Sequence, residues 1–150
     1  MKIEEYISSL PESIITGEQI QLLDDSIRDV FRMAGLGHDD IFYHLGCGTG
    51  NGIAIALKEF GVKKAVGIDS DVDKILQAEE VAKLENSEFR CQDILESDIS
   101  DASVILFWFS DTKIIESMLE KFTKLKNCRV ITIFDPLPGL LPDRVDFPYL

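Results

Sequence analysis

Short apolar runs alternate along this chain with longer stretches in which apolar residues recur every three or four positions. The runs around Ile41-Phe42-Tyr43, Ala65-Val66-Gly67-Ile68 and Val104-Ile105-Leu106-Phe107-Trp108-Phe109 are too short for buried helices. Near-continuous rather than alternating hydrophobicity marks strands covered on both faces. Two further strands are expected at Glu88 to Cys91 and Cys128 to Phe134, and the fourth is expected to run from Ser103 to Phe109. Between them, Ile53 to Phe60, Lys74 to Leu84 and Lys113 to Lys126 carry helical periodicity, the last with Ile114, Ile115, Met118, Leu119 and Phe122 on one face. Upstream, Thr16 and Gln19 have capping-box spacing. Ile20, Leu23, Ile27, Val30, Phe31 and Ala34 then form an apolar stripe that Gly35 and Gly37 terminate. Strands alternating with helices predict an α/β fold around a mainly parallel sheet.

The first strand runs into Leu45-Gly46-Cys47-Gly48-Thr49-Gly50-Asn51-Gly52, a turn whose glycines would let a ligand lie against the main chain. A dinucleotide loop requires Gly-x-Gly-x-x-Gly, and here Asn51 takes the third glycine's place. No Gly-Lys-Ser/Thr follows, which excludes a Walker-type phosphate loop. Asp69 ends the second strand, where a carboxylate can accept from both hydroxyls of an adenosine ribose. Asp69 and Ser70 also read as ordinary helix caps ahead of Asp71-Val72-Asp73.

Leu45-Gly46-Cys47-Gly48-Thr49-Gly50 resembles motif I of the class I S-adenosylmethionine-dependent methyltransferases. That resemblance implies a Rossmann-like doubly wound sheet and S-adenosyl-L-methionine as cofactor, the loop passing beneath its methionine and ribose. It implies that Asp93 accepts from the adenine amine while Ile94 packs on the ring. From His38 to about Pro142 the chain is similar to a narrower group, the small archaeal protein-lysine methyltransferases and their mitochondrial ATP-synthase-subunit relatives. Asp39-Asp40-Ile41-Phe42-Tyr43, Phe60-Gly61-Val62-Lys63-Lys64-Ala65-Val66-Gly67 and Asp98-Ile99-Ser100-Asp101-Ala102-Ser103-Val104 carry that likeness. The implied acceptor is a protein lysine amine, with a small molecule as the neighbouring alternative.

Two departures stand out. His44 occupies the place where the family has an aspartate that attracts the cofactor's ammonium, which a neutral imidazole does only weakly. After the fifth strand the family adds a hairpin of two strands, and sixteen residues remain here, a shortened C-terminal end. Asp111 and Asp135 are the carboxylates expected nearest the mouth of the site, although each also reads as a solvated loop acid. A non-catalytic cofactor-binding or interaction protein is the competing reading, and a nicotinamide-binding domain a third.

The 150 residues are expected to form one domain, with 1–37 as a helical cover and 38–150 as the α/β core and tail. A net charge of -12 argues against nucleic acid, whose binding depends on lysine and arginine neutralising phosphates. Cys47, Cys91 and Cys128 form no Cys-x-x-Cys pair, so neither a metal site nor a disulfide framework is expected. No membrane span and no secretion signal is expected, which makes a cytoplasmic protein the default. The apolar fifth strand and the tail Leu140, Leu141, Val145, Phe147, Tyr149 and Leu150 need cover, from the tail folding back or from a homodimer.

Overall fold

Strand β1 (Ile41–Leu45) can sit at the centre of a sheet because its two side-chain rows are both apolar enough to be covered. Phe42 packs toward one face and Tyr43 and Leu45 toward the other, each at most 2% exposed. In the computed structural model, which describes residues 23–133 and 137–143, β1 is flanked by β2 (Lys64–Asp69) and β4 (Val104–Phe107). Beyond them lie β3 (Ser87–Cys91) and β5 (Arg129–Ile131), giving the parallel order β3-β2-β1-β4-β5.

Helices α1 (Asp24–Met33), α2 (Asn51–Lys58) and α3 (Val72–Ala82) cover one face. Their residues Ile27, Phe31, Ile53, Ala56 and Ile75 meet Phe42, Val104 and Leu106 there. On the other face α4 (Thr112–Thr123) packs Met118 and Phe122 against Tyr43, Ile105 and Phe107. The α/β, doubly wound arrangement expected from the strand and helix alternation is therefore present. Its order reverses beside β1: the chain steps outward to β3 and then returns to the opposite side as β4. The carboxyl ends of β1 and β4 thus flank the crevice where open α/β sheets bind ligands.

The fourth strand is shorter than its apolar run. Phe107 pairs with Leu45, the last residue of β1, and the strand ends there, short of Trp108 and Phe109. β5 ends at Ile131, opposite Leu106, rather than at Phe134. The Thr16–Gln19 capping box, Phe134 and residues 144–150 lie outside the described residues.

At the opposite end of the sheet, one carboxylate joins three elements. Asp40 accepts from the Gly37 amide (2.9 Å), the Ser103 hydroxyl (2.8 Å) and the Arg129 guanidinium (2.6 Å). Arg129 also donates to the carbonyl of Ala34, which ends α1. Burial alone would raise the Asp40 pKa, but the bonds from Gly37, Ser103 and Arg129 outweigh it and hold the carboxyl below its ordinary value. The stabilisation is present above the unfolded pKa and is lost as pH falls through the lower folded one.

Asp40→Ala leaves the Gly37 amide without its acceptor and removes the carboxylate from Ser103 and Arg129, and is expected to cost about 1–3 kcal/mol. The urea midpoint should fall with the slope unchanged, and Asp40→Asn should lose less because it keeps one acceptor oxygen.

Candidate functional site

The turn after β1 is shaped by left-handed backbone at Gly46 (φ 77°), Gly48 (φ 54°) and Gly50 (φ 86°). Its amides point inward. Gly46 and Cys47 donate to the Ile68 carbonyl at 2.7 and 3.0 Å, Gly48 to the Asp69 carboxylate at 3.0 Å, and Gly50 to the Cys47 carbonyl at 3.1 Å. A phosphate cradle needs such amides turned outward. The loop is therefore suited to a ligand that lies over the main chain, in agreement with the missing Walker lysine.

Close packing fixes the same turn. A Cβ at Gly50 would stand 2.9 Å from the Ala78 Cβ, so α2 and α3 meet only because it is absent. Cys47 turns its sulfur inward against Gly67, whose Cβ would lie 2.9 Å away, and burial pushes the thiol up to about 12. Leu45, 2% exposed, is core. Thr49 is half-buried on the turn.

Asp69, half-buried at the end of β2, accepts from the amides of Gly48 and Asp71 with one oxygen each, both at 3.0 Å. Each oxygen keeps a second lone pair. The carboxylate thus holds the glycine turn and still presents acceptors. Ser70 is exposed, and its carbonyl accepts from the Cys91 thiol. Neither residue is the helix cap: Asp71 is, accepting from Asp73 and Lys74 at the start of α3.

Asp93 caps the 3-10 turn Ile94–Glu96 by accepting from Leu95 at 2.9 Å. Ile94 is 7% exposed and belongs to the core with Val66, Ile105 and Phe107, leaving little of it for a ligand. Asp111 is exposed and caps α4, one oxygen accepting from Lys113 and Ile114. Asp135 lies outside the described residues.

His44 lies against the first turn of α2. A Cβ at Gly52 would come 2.8 Å from its Nδ1, so that glycine makes room for the ring. Part of the residue keeps solvent access, but Nδ1 is buried and has no hydrogen-bond partner among the described residues. Burial drives the pKa down to about 4, against the opposing pull of Asp69. The imidazole is neutral at pH 7.

The sequence reading passed over Phe109. Two residues past the end of β4, its ring reaches Gly46, where a Cβ would lie 3.1 Å from Cζ. Its even spacing from Phe107 is the available signal, hidden because the apolar run reads as continuous strand.

Among the described residues, no helix is long and apolar enough to cross a membrane and no group of histidine, cysteine or acidic residues could hold a metal. No protein-family model matches the chain. A protein-lysine N-methyltransferase of Saccharolobus islandicus is 35% identical over 127 residues, 79% of this chain and 77% of its own. An RNA methyltransferase from Salinibacter ruber, solved with S-adenosyl-L-homocysteine, superposes with a TM-score of 0.78 at 26% identity, covering 85% of this chain and 86% of that one. A geranyl diphosphate C-methyltransferase from Streptomyces coelicolor A3(2), also with S-adenosyl-L-homocysteine, shares the fold at a TM-score of 0.59 and 18% identity, over 73% of this chain and 45% of its own.

The folded pKa of His44 lies below its ordinary 6.5. The neutral ring's stabilisation is therefore complete above about pH 6.5 and is lost as pH falls toward 4. His44→Gln should remove this part of the acid sensitivity. The wild-type chain should lose on the order of 2–3 kcal/mol more than the variant between pH 7 and 4, as read by urea titrations at several pH values. Parallel profiles would contradict the burial of Nδ1.

Proposed function

Because the chain belongs to the S-adenosylmethionine-dependent methyltransferases, in the family of the Saccharolobus enzyme, we propose that it methylates the side-chain amine of protein lysines. The observation that carries the acceptor is the 35% identity to that protein-lysine N-methyltransferase over 77% of its length.

The described residues fit the cofactor. Gly46, exposed and without a Cβ, leaves the main chain open to its amino-acid half, with Leu45, Cys47, Thr49 and Gly50 shaping the turn. Asp69 offers its remaining lone pairs to the ribose hydroxyls, beside Ser70. Asp93 stands at the adenine end. Ile94 is largely committed to the core, so its part there is the small surface it keeps. His44 is neutral, and since the first turn of α2 covers its Nδ1, only the part of the residue that keeps solvent access can meet the ammonium group.

The bound cofactor supplies a methyl group already activated by its sulfonium. The lysine must arrive neutral, which desolvation in the crevice favours. Its lone pair forms the N–C bond as the C–S bond breaks, the bonding electrons leave with sulfur, and the methylated ammonium gives a proton to solvent. What the chain contributes is alignment of amine, methyl and sulfur. Asp111 has one oxygen tied to its helix cap and the other turned to water, which suits attracting a lysine to the mouth better than abstracting its proton.

An RNA acceptor is the second reading, favoured by the Salinibacter neighbour and opposed by the net charge of -12. Incubation with radiolabelled cofactor and a lysate of the source cells separates the two. Label recovered as methyl-lysine is expected; label in RNA or in small molecules would overturn the lysine acceptor. The reading extends to assembly: the outer edge of β5 pairs with no strand among the described residues, and a second copy would cover it. Light scattering over a dilution series should then show dimers, and a monomer at every concentration would refute them.

Asp69→Ala should weaken cofactor binding by roughly 1–3 kcal/mol, because the ribose loses its acceptor and Gly48 its anchor. Calorimetric titration of a folded mutant with unchanged affinity would remove Asp69 from the site.

A further inference from the structure

His44 stands near the end of β1, just ahead of the glycine turn, with its ring against the start of α2. The edge turned to that helix is Nδ1 and Cε1, at 2.8 and 3.1 Å from where a Gly52 Cβ would be. Nδ1 is buried without a partner among the described residues, so the solvent access that His44 keeps lies on the side of Nε2. What this nitrogen offers a ligand depends on where the neutral ring carries its proton.

The start of α2 decides that. Its first amides are the positive end of the helix dipole, Gly50 supplies no side-chain cap, and the first turn contains no acid. A proton on Nδ1 would face that positive end with no acceptor, whereas a lone pair there is attracted to it. The imidazole therefore holds its proton on Nε2, as a donor at the crevice. A protonated nitrogen can stand beside an ammonium group but cannot accept from it. Acceptors for the ammonium come from elsewhere: the charge of Asp69 acts on the ring, and Asp24 accepts from the side chain of Asn51, the first residue of α2, at 3.5 Å.

The amino-acid half of the cofactor is a zwitterion, and two acids with one neutral donor sort its charges. We propose that His44 donates from Nε2 to the cofactor's α-carboxylate and leaves the ammonium to the field of Asp69 and Asp24, the reverse of the polarity that an aspartate in its place would impose. His44 is thus a specificity-determining residue for the carboxylate whatever the methyl acceptor is. This role rests on the assignment of the Gly46–Gly50 turn to the cofactor.

Two measurements on the whole chain test it. Nitrogen chemical shifts of the imidazole at pH 7 should show Nε2 protonated and Nδ1 unprotonated; the opposite tautomer would overturn the proposal. Calorimetric titrations then compare S-adenosylhomocysteine with its decarboxylated analogue. In the wild type, loss of the carboxylate should weaken binding by about ten- to hundred-fold. His44→Asp should reduce that penalty to within about three-fold, and His44→Gln, which keeps an N–H donor, should retain most of it. A small penalty in the wild type, or one equally large in all three chains, would overturn the proposal, as would its loss in the glutamine variant. If urea titration shows His44→Asp to be unfolded, His44→Met is read in its place. Failure of the loop assignment itself would show separately, as affinities for both ligands that are indifferent to Asp69→Ala.

Discussion

The backbone after β1 can occupy its place only because certain Cβ atoms are absent. At Gly50 a methyl group would strike α3, and at Gly52 it would strike His44. At Gly46 it would press on Phe109, and at Gly67 it would meet both Cys47 and Phe89. Steric exclusion at these points sets how near α2 approaches the sheet and how closely α3 approaches α2. It also sets how tightly the turn folds over β2, with Cys47 as its inward anchor. Since left-handed torsions are required at three positions of the turn as well, loop shape and helix packing are satisfied by the same residues.

Asp69 connects that packing to chemistry. By holding the Gly48 amide it joins the end of β2 to the turn after β1, so the two elements expected to meet a nucleoside are positioned by a shared carboxylate. The other acids after strands serve the backbone first: Asp71, Asp93 and Asp111 each cap the helix or turn that follows. An acid after a strand is thus a weak sign of catalysis, because a helix beginning there needs an acceptor for its first amides. In this chain a single group can meet both needs only where it keeps spare lone pairs.

Proteins sharing this fold are named for acceptors as unlike as a protein lysine, RNA and geranyl diphosphate. Open α/β sheets of this order leave a crevice beside the first strand in which ligands bind, and what a protein acts on depends on the side chains grafted around it. Near the carboxyl ends of β1 and β4 this chain carries an exposed aspartate, an aromatic ring against the glycine turn and a neutral histidine.

Much was determined by the amino-acid sequence alone. Periodicity located the five strands and the helices between them, and the glycine spacing separated this turn from dinucleotide and Walker loops. The position of Asp69 at the end of the second strand followed from strand order. What the sequence could not determine depended on contacts between residues far apart. β4 stops at Phe107 because β1 stops at Leu45, a limit set by a neighbouring strand and invisible in an apolar run that continues to Phe109. Ile94 falls into the core because the turn capped by Asp93 packs against the sheet. His44 is neutral because α2 closes over its Nδ1, and α2 can close because Gly52 has no side chain. Local pattern specifies which elements form; whether a given side chain meets ligand, core or backbone is decided only when those elements pack.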